Sequence, residues 1–591
     1  MKDSQNSGRN AAAPVPAASD RRAAIVRRME LGLALALTAA IVVVHAAVLT
    51  HAGPLWRDEI NTVHLANLPS VAEVWDRLQY DSFPVLWFLV VRGWTALGPG
   101  GSDSGLRILG MLVGVGVVGL LWIAAKRLGR SVPLVSLVLV GLSPPVFRLG
   151  DSMRAYGAGI LTMLLTLLAV WSVVERLTWR RAAVAAALAI LSVHFLYYNA
   201  VMLFAVGAGA MAVAVRRRKW RTFLAVAGIG AAAALSLIPY LDTMRRIDSW
   251  NIIFKGTVSL DWVLGRLAEA VGLAGDFAVW VWLAAALLAV AACTYRLARP
   301  AEDASHGSAE SSAESRAGPA DSSGRPIHAR RARTDSGAGQ SDPRDLPLFI
   351  LVTLLVVGVA YIAFLKFLGY PTQPWYYVTL IALAGVMVDA AVGRLIRGET
   401  GRLFRLAAVV VVGLAVSTNV WSQACTRQTN VDLVAAKLES VAAPDDLIIA
   451  NPWYFGLGMN RYYHGPAPWV TLPPIDDFRT HRYDLYKERM AEVDPIRAVL
   501  DRMAATLRGG HRVYLVGGLD FLGPGQAPLV LPPAPESRYG WSEAAYGAAW
   551  SAQAAFVLQS HANSFEPVGV PHAGPVNQFE NVRLFVFRVQ Q

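Results

Sequence analysis

From about residue 31 to about residue 421 the chain alternates long apolar runs with short polar connections, and then its pattern changes. Each run is close to the roughly 20 residues a helix needs to cross the hydrocarbon core of a bilayer. The pattern predicts spans near 31–50, 105–125, 131–147, 157–174, 181–198, 200–215, 222–240, 276–295, 347–367, 375–393 and 404–421, about eleven in all. Basic clusters recur in alternate connections: Lys126, Arg127 and Arg130; Arg176, Arg180 and Arg181; Arg216 to Arg218 with Lys219 and Arg221; Arg394, Arg397, Arg402 and Arg405. All of them fall on the cytoplasmic side when the N-terminus is cytoplasmic, and an odd span count then puts the C-terminus outside. The expected location is a multi-pass position in the cytoplasmic (inner) membrane.

One apolar stretch breaks the alternation if it is counted as a crossing. Phe83 to Leu97 is short, holds Arg92, and is better placed at the outer interface. Before it, Val71, Val74, Trp75 and Leu78 follow a Ser70 to Glu73 capping box at the spacing of an amphipathic helix. Ser259 to Ala270 repeats that pattern. Residues 1–28 read as a disordered basic cytoplasmic tail, and residues 298–345, rich in Ser, Ala, Gly, Asp and Arg, as a disordered cytoplasmic linker. From residue 422 to residue 591 the periodicity is that of a small α/β domain on the outer face. VDLVAAKLESVA and DPIRAVLDRMAATLRGG predict helices, whereas DLIIAN, HRVYLVGG and NVRLFVFRVQ predict strands. Gly517 and Gly518 read as a strand-ending turn and lack the GxGxxG spacing of a nucleotide site.

Composition changes this picture in only two respects. With 54% hydrophobic and 16% charged residues, the chain has too little charge to cover a soluble surface. The net charge of +12 belongs largely to the tail and the inside connections, which removes the argument for nucleic acid. Two cysteines exclude a disulfide framework and a Cys-ligated cluster.

The chemistry gathers in two outer loops. GPLWRDEINTVHLA places Asp58 beside Glu59 directly after the first span, and SPPVFRLGDSMRAYGAG holds Asp151 and Arg154. Asp58 read alone could simply begin a helix, and Asp151 with Arg154 could form a salt-bridged turn. Three carboxylates and neighbouring arginines at the ends of adjacent spans fit a lipid-phosphate substrate better, with carboxylate to take a proton and cations for phosphate.

The ordered set WRDEINTVHLA, DSFPVLWFLVVRGWTALG with LRILG, KRLGR, LSPPVFRLGDSMRAYG, LSVHFLYYNAVML and YPTQPWYYVTLIALAGV resembles the GT-C superfamily of polyprenyl-phosphate-sugar-dependent glycosyltransferases, in the branch of protein O-mannosyltransferases and lipid A aminoarabinose transferases. The likeness runs from about residue 30 to about residue 420. It implies a GT-C-like transmembrane catalytic domain over 29–421, with the outer α/β domain over 422–591 resembling the external domains of such enzymes in general terms.

The implied activity is that of a hexosyl- or pentosyltransferase. It would move a sugar from a polyprenyl-phosphate donor to a hydroxyl of a glycan, lipid or protein acceptor by a single inverting displacement. The resemblance puts the general base on Asp58 and an orienting role on Glu59. Asp151 takes the second-loop acidic position, which serves acceptor contacts or, in some branches, a divalent metal. No DxD follows it, so no cofactor is firmly implied.

Arg154 and Lys366 are the cations for the leaving phosphate; Lys366 could equally snorkel to the interface. His194 and Tyr197 could line the sugar or phosphate site, although a lone His at a helix end is more often structural. Tyr370 and Gln373 are donor contacts. Trp375 and Tyr376 fit an aromatic belt almost as well as a site. A transporter or lipid flippase is the rival reading, for which no repeated halves or deeply placed charges are found.

Overall fold

The computed structural model describes residues 18–250, 258–298, 342–369, 372–396, 398–535, 543–571 and 574–590. Among them, nine helices are long and apolar enough to cross a membrane, and the chain is a multi-pass membrane protein with a small C-terminal sheet domain. The first helix, α1 (Ala18–His51), packs against α5 (Asp103–Ala124) and against Glu399–Ala424. Three short helices lie between α1 and α5: α2 (Arg57–Ala66), α3 (Val71–Asp76) and α4 (Val85–Ala96).

Two predicted spans depart from expectation. The 181–198 run forms a helix of 17 residues, Trp179–Phe195. The 131–147 run is not one helix but a turn at Leu134–Ser136, a π-helical stretch at Leu137–Gly141 and a second helix at Pro144–Gly150. Pro133, Pro144 and Pro145 cannot donate to a helical ladder, and the carboxylate of Asp389 accepts the Val135 N–H at 2.9 Å, drawing the backbone out of register. Of the expected tail over 1–28, residues 1–17 lie outside the described residues, and Ala18 to Arg28 form the first turns of α1. Most of the linker, 299–341, lies outside the described residues.

The basic connections collect at one end of the bundle. There Arg402 and Arg405 pair with Glu30, and Arg216 and Arg217 with Asp345. Arg394 reaches the Leu128 carbonyl nearby. The acidic loops collect at the other end, beside α4, which at 12 residues is shorter than a membrane crossing needs. Its Arg92 donates to the carbonyls of Ala66, Leu68 and Pro69, capping the C-terminus of α2. Its Trp87 indole N–H bonds the Met153 carbonyl at 3.1 Å, so α4 braces both acidic loops. The two amphipathic helices also form, with the Ser70 hydroxyl accepting from the Glu73 N–H and the Ser259 hydroxyl from the Trp262 N–H.

The C-terminal sheet has the strand order β2-β1-β3-β5-β4, from β1 (Leu447–Asn451), β2 (Trp469–Thr471), β3 (Val513–Gly517), β4 (Ser564–Pro567) and β5 (Leu584–Arg588). β1 runs parallel to β2 and β3, and β5 is antiparallel to its neighbours β3 and β4. All five β1 residues are buried, as expected of a central parallel strand. Gly517 has φ +103, and a Cβ there would lie 1.9 Å from the Asn451 carbonyl, so it ends the strand and leaves no phosphate cradle.

Close backbone approach positions the second acidic loop. A Cβ on Gly110 of α5 would stand 1.9 Å from the Asp151 carbonyl oxygen, whereas one on Gly119 of the same helix would meet nothing within 4 Å. Gly110→Ala should therefore lose about 1–3 kcal/mol, read as a lower melting temperature in detergent, while Gly119→Ala stays close to the parent protein.

Candidate active site

The site is built around the N-terminus of α2. Trp56 enters it extended, and its N–H donates to the Glu59 carboxylate at 3.2 Å, half of a capping box. Acidic residues in the first turn also suit the positive end of the helix dipole. Asp58 and Glu59, adjacent in sequence, meet opposite fates.

Glu59 is fully buried and takes every bond it can accept. The Arg107 guanidinium of α5 donates at 3.1 and 3.3 Å, and the Met153 N–H at 2.8 Å. Arg107 also holds the carbonyls of Gly53 and Pro54. Glu59 thus ties α2, α5 and the second loop together, and its oxygens are spent on that task. Asp151, beneath this knot, bonds the His45 ring at 2.7 Å and faces Gly114. No group of three His, Cys, Asp or Glu side chains that could hold a metal occurs among the described residues.

Arg154 lies on the other side of α2. Its Nη1 donates to Asp81 at 2.7 Å, to the Thr62 hydroxyl at 2.8 Å and to the Asp58 carbonyl at 3.1 Å, and its guanidinium stacks on Phe83 at 4.3 Å. Asp81 accepts as well from Asn61, whose own carbonyl takes the His481 backbone N–H at 2.8 Å. That last bond brings in the C-terminal domain. Tyr454, just past the end of β1, stacks on the Arg57 guanidinium at 3.9 Å, and Glu580 stands 3.3 Å from Arg57 Nε. The Leu55 N–H donates to the Tyr462 hydroxyl at 2.9 Å. The C-terminal end of β1 thus turns toward Asp58, the end of a parallel sheet where ligands usually bind.

Asp58 itself is the reachable carboxylate of the group. Its side chain is 26% exposed, against 0% for Glu59, 1% for Asp81 and 3% for Asp151. Arg57 Nε and His481 Nε2 stand 3.6 and 3.7 Å from its Oδ1, beyond hydrogen-bond length. Burial works to raise its pKa, but the Arg154 and Arg57 guanidinium groups act against it, and the carboxyl lies below its ordinary value. The opposite holds for Glu580, which burial pushes up to about 7 against the pull of Arg57. Burial likewise drives the His481 imidazole down to about 4, so that it is neutral at physiological pH.

The remaining predicted residues divide. Tyr197 is half-buried, with its ring 5.5 Å from that of Tyr240. His194 is spent on packing, with Nδ1 at 3.1 Å from the Tyr240 hydroxyl and Nε2 at 3.1 Å from Ser236. Lys366 is exposed on the last turn of Asp345–Leu368, and Gln373 is half-buried at the start of the turn Pro374–Tyr377. That turn reaches the site through Trp375, whose ring lies 6.5 Å from Trp56. Tyr370 lies outside the described residues. Arg57, Asp81 and Arg107 sit in the motifs WRDE, DSFP and LRILG, but no local pattern marks them as site residues. Nothing in the sequence signalled His481 or Glu580, more than 400 residues from Asp58.

No family model matches the chain, and no curated protein does. Solved structures of ArnT are among its structural neighbours. ArnT from Cupriavidus metallidurans bound to undecaprenyl phosphate aligns at 11% identity, covering 82% of this chain and 93% of that one, with a TM-score of 0.45. The apo form of the same protein aligns at 12% identity over 83% and 93%, also at 0.45. At that distance the likeness does not decide the chemistry, which has to come from the side chains themselves.

Two tests separate holding from reacting. Glu59→Gln and Arg107→Met should each destabilise the protein by about 3–5 kcal/mol, because each leaves a buried charge unpaired, while the double variant should recover much of that loss in thermal unfolding. For Glu580 the folded pKa of about 7 lies above the ordinary 4.5, so its contribution is complete below 4.5 and is lost as pH rises through 7. Glu580→Gln should flatten the fall in melting temperature across that window.

Proposed function

We propose that this protein is a membrane glycosyltransferase that moves a sugar from a polyprenyl-phosphate donor to an acceptor hydroxyl at the outer face of the cytoplasmic membrane. The observation that carries this reading is the division of labour among four neighbouring carboxylates. Glu59, Asp81 and Asp151 are buried and bonded, whereas Asp58 is held ionised by its cationic neighbours and keeps 26% of its side chain exposed. A carboxylate kept in that state is suited to receive a proton. The motifs around it are those in which the chain resembles the GT-C enzymes.

In the proposed step the acceptor oxygen attacks C1 of the sugar while the bond from C1 to the phosphate oxygen breaks. The electron pair of that bond leaves with the lipid phosphate, and positive charge builds on the ring in an oxocarbenium-like state. The hydroxyl becomes acidic only as the new bond forms, so Asp58 takes its proton late, and a low pKa keeps the base ready without preventing the transfer. Arg154 serves chiefly to hold Asp58 ionised, and its Nε, buried without a hydrogen-bond partner, leaves one donor for phosphate. Lys366 supplies an exposed ammonium at the end of its helix for the same group. Tyr197, Gln373 and Trp375 line the donor side.

Asp58→Asn removes the base with little change in shape. It should lower the turnover of purified protein, offered a panel of polyprenyl-phosphate sugars, by about 10²–10⁴-fold while donor binding persists. The product should be inverted at the transferred anomeric carbon. Full transfer by a folded Asp58→Asn protein, or retention at that carbon, would overturn the mechanism.

A further inference from the structure

His481 belongs to the C-terminal domain, yet its ring ends at the carboxylate assigned as base. The residue is 5% exposed, and Nε2 is buried with no hydrogen-bond partner, 3.7 Å from Asp58 Oδ1. Nδ1 is 3.1 Å from the Tyr483 hydroxyl, and the ring packs beside Trp453 and Tyr483. The backbone N–H of the same residue is anchored to Asn61 of α2, so ring and carboxylate are fixed to one helix turn. A buried imidazole nitrogen left without a partner and aimed at an ionised carboxylate calls for a physical reason.

We propose that His481 is a positioning residue for Asp58, donating from Nε2–H to Oδ1 when the acceptor closes the site, and that the C-terminal domain is thereby part of the transferase centre. The proposal rests on the reading of Asp58 as base. Two tautomers of the neutral ring are available. With the proton on Nδ1, the Nε2 lone pair would face the carboxylate and repel it. With the proton on Nε2, a donor faces Oδ1 and the Tyr483 hydroxyl donates to Nδ1, so both ring nitrogens are used. The second arrangement is the stable one beside an ionised Asp58.

The doubly protonated ring is disfavoured by burial, which outweighs the attraction of Asp58 and Asp81; Arg57 and Arg154 oppose it as well. No proton is transferred to His481 in this scheme. The acceptor proton goes to the other carboxylate oxygen of Asp58, and His481 orients the group and favours its charged form. A shortening of the 3.7 Å gap to about 2.9 Å would complete the bond, a tightening common when a substrate replaces water.

The test uses the full-length protein and transfer from a polyprenyl-phosphate sugar. His481→Leu removes the donor and keeps apolar bulk, whereas His481→Gln places an amide N–H near the position of Nε2. His481→Leu should lower kcat by about tenfold or more with KM for the donor unchanged, and should move the acid limb of the pH–rate profile upward, because Asp58 loses a bond that favours its ionised form. His481→Gln should recover most of kcat and return the acid limb toward its original position.

Parent-like kcat and acid limb in His481→Leu would overturn the proposal. A Gln variant that folds and binds donor but is as inactive as the Leu variant would also overturn it, since the ring would then be carrying the proton. The base reading fails separately: Asp58→Asn would retain transfer. An inactive Asp58→Asn together with a fully active His481→Leu leaves Asp58 as base and removes only the partnership.

Discussion

The Glu59–Arg107 pair is the constraint on which the acidic end of the molecule depends. Two charges taken out of water have to stay paired, because either one alone would be left as an uncompensated buried ion. Glu59 has no exposed surface, and its oxygens draw in a guanidinium from α5, a backbone N–H from the second loop and the N–H that opens α2. Three segments distant in sequence are thereby brought to fixed positions. Asp58 gains its orientation from this arrangement, since the helix turn that buries Glu59 leaves the preceding side chain partly exposed beside Arg57 and His481.

A second level of organisation comes from charges that compensate one another across α2. Arg154 answers Asp81 directly and Asp58 at longer range, and Arg57 is shared between Asp58 and Glu580. Such sharing sets protonation states against burial: Asp58 remains charged and reachable, while Glu580 is pushed toward its neutral form. The same low dielectric that makes an unpaired ion costly lets a few cations decide which carboxylate can react.

Much of this was legible in the sequence because membrane burial writes strong patterns. The long apolar runs, the basic connections, the short helix at α4 and the main strands of the C-terminal domain follow from period, length and charge. The break at 134–150 was less visible, since a run of Val and Leu looks continuous and the decisive partner, Asp389, is far along the chain. Among site residues, the acidic pair at 58 and 59 was readable as a place but not as two roles; only three-dimensional packing shows which carboxylate is consumed. Short β2, with three residues, carries too few alternating positions to announce itself. His481 was invisible because no local pattern distinguishes a histidine that meets a loop more than 400 residues away.

The bonds from the Leu55 N–H to Tyr462 and from the His481 N–H to Asn61 join the first acidic loop to chain synthesised much later. Contacts that close such long loops form late, after local helices have already assembled. During synthesis the membrane helices can therefore be in place while the acidic turn still lacks one wall and stays open to water. A chain without its C-terminal domain would carry the helix bundle with the acidic turn left unwalled on that side.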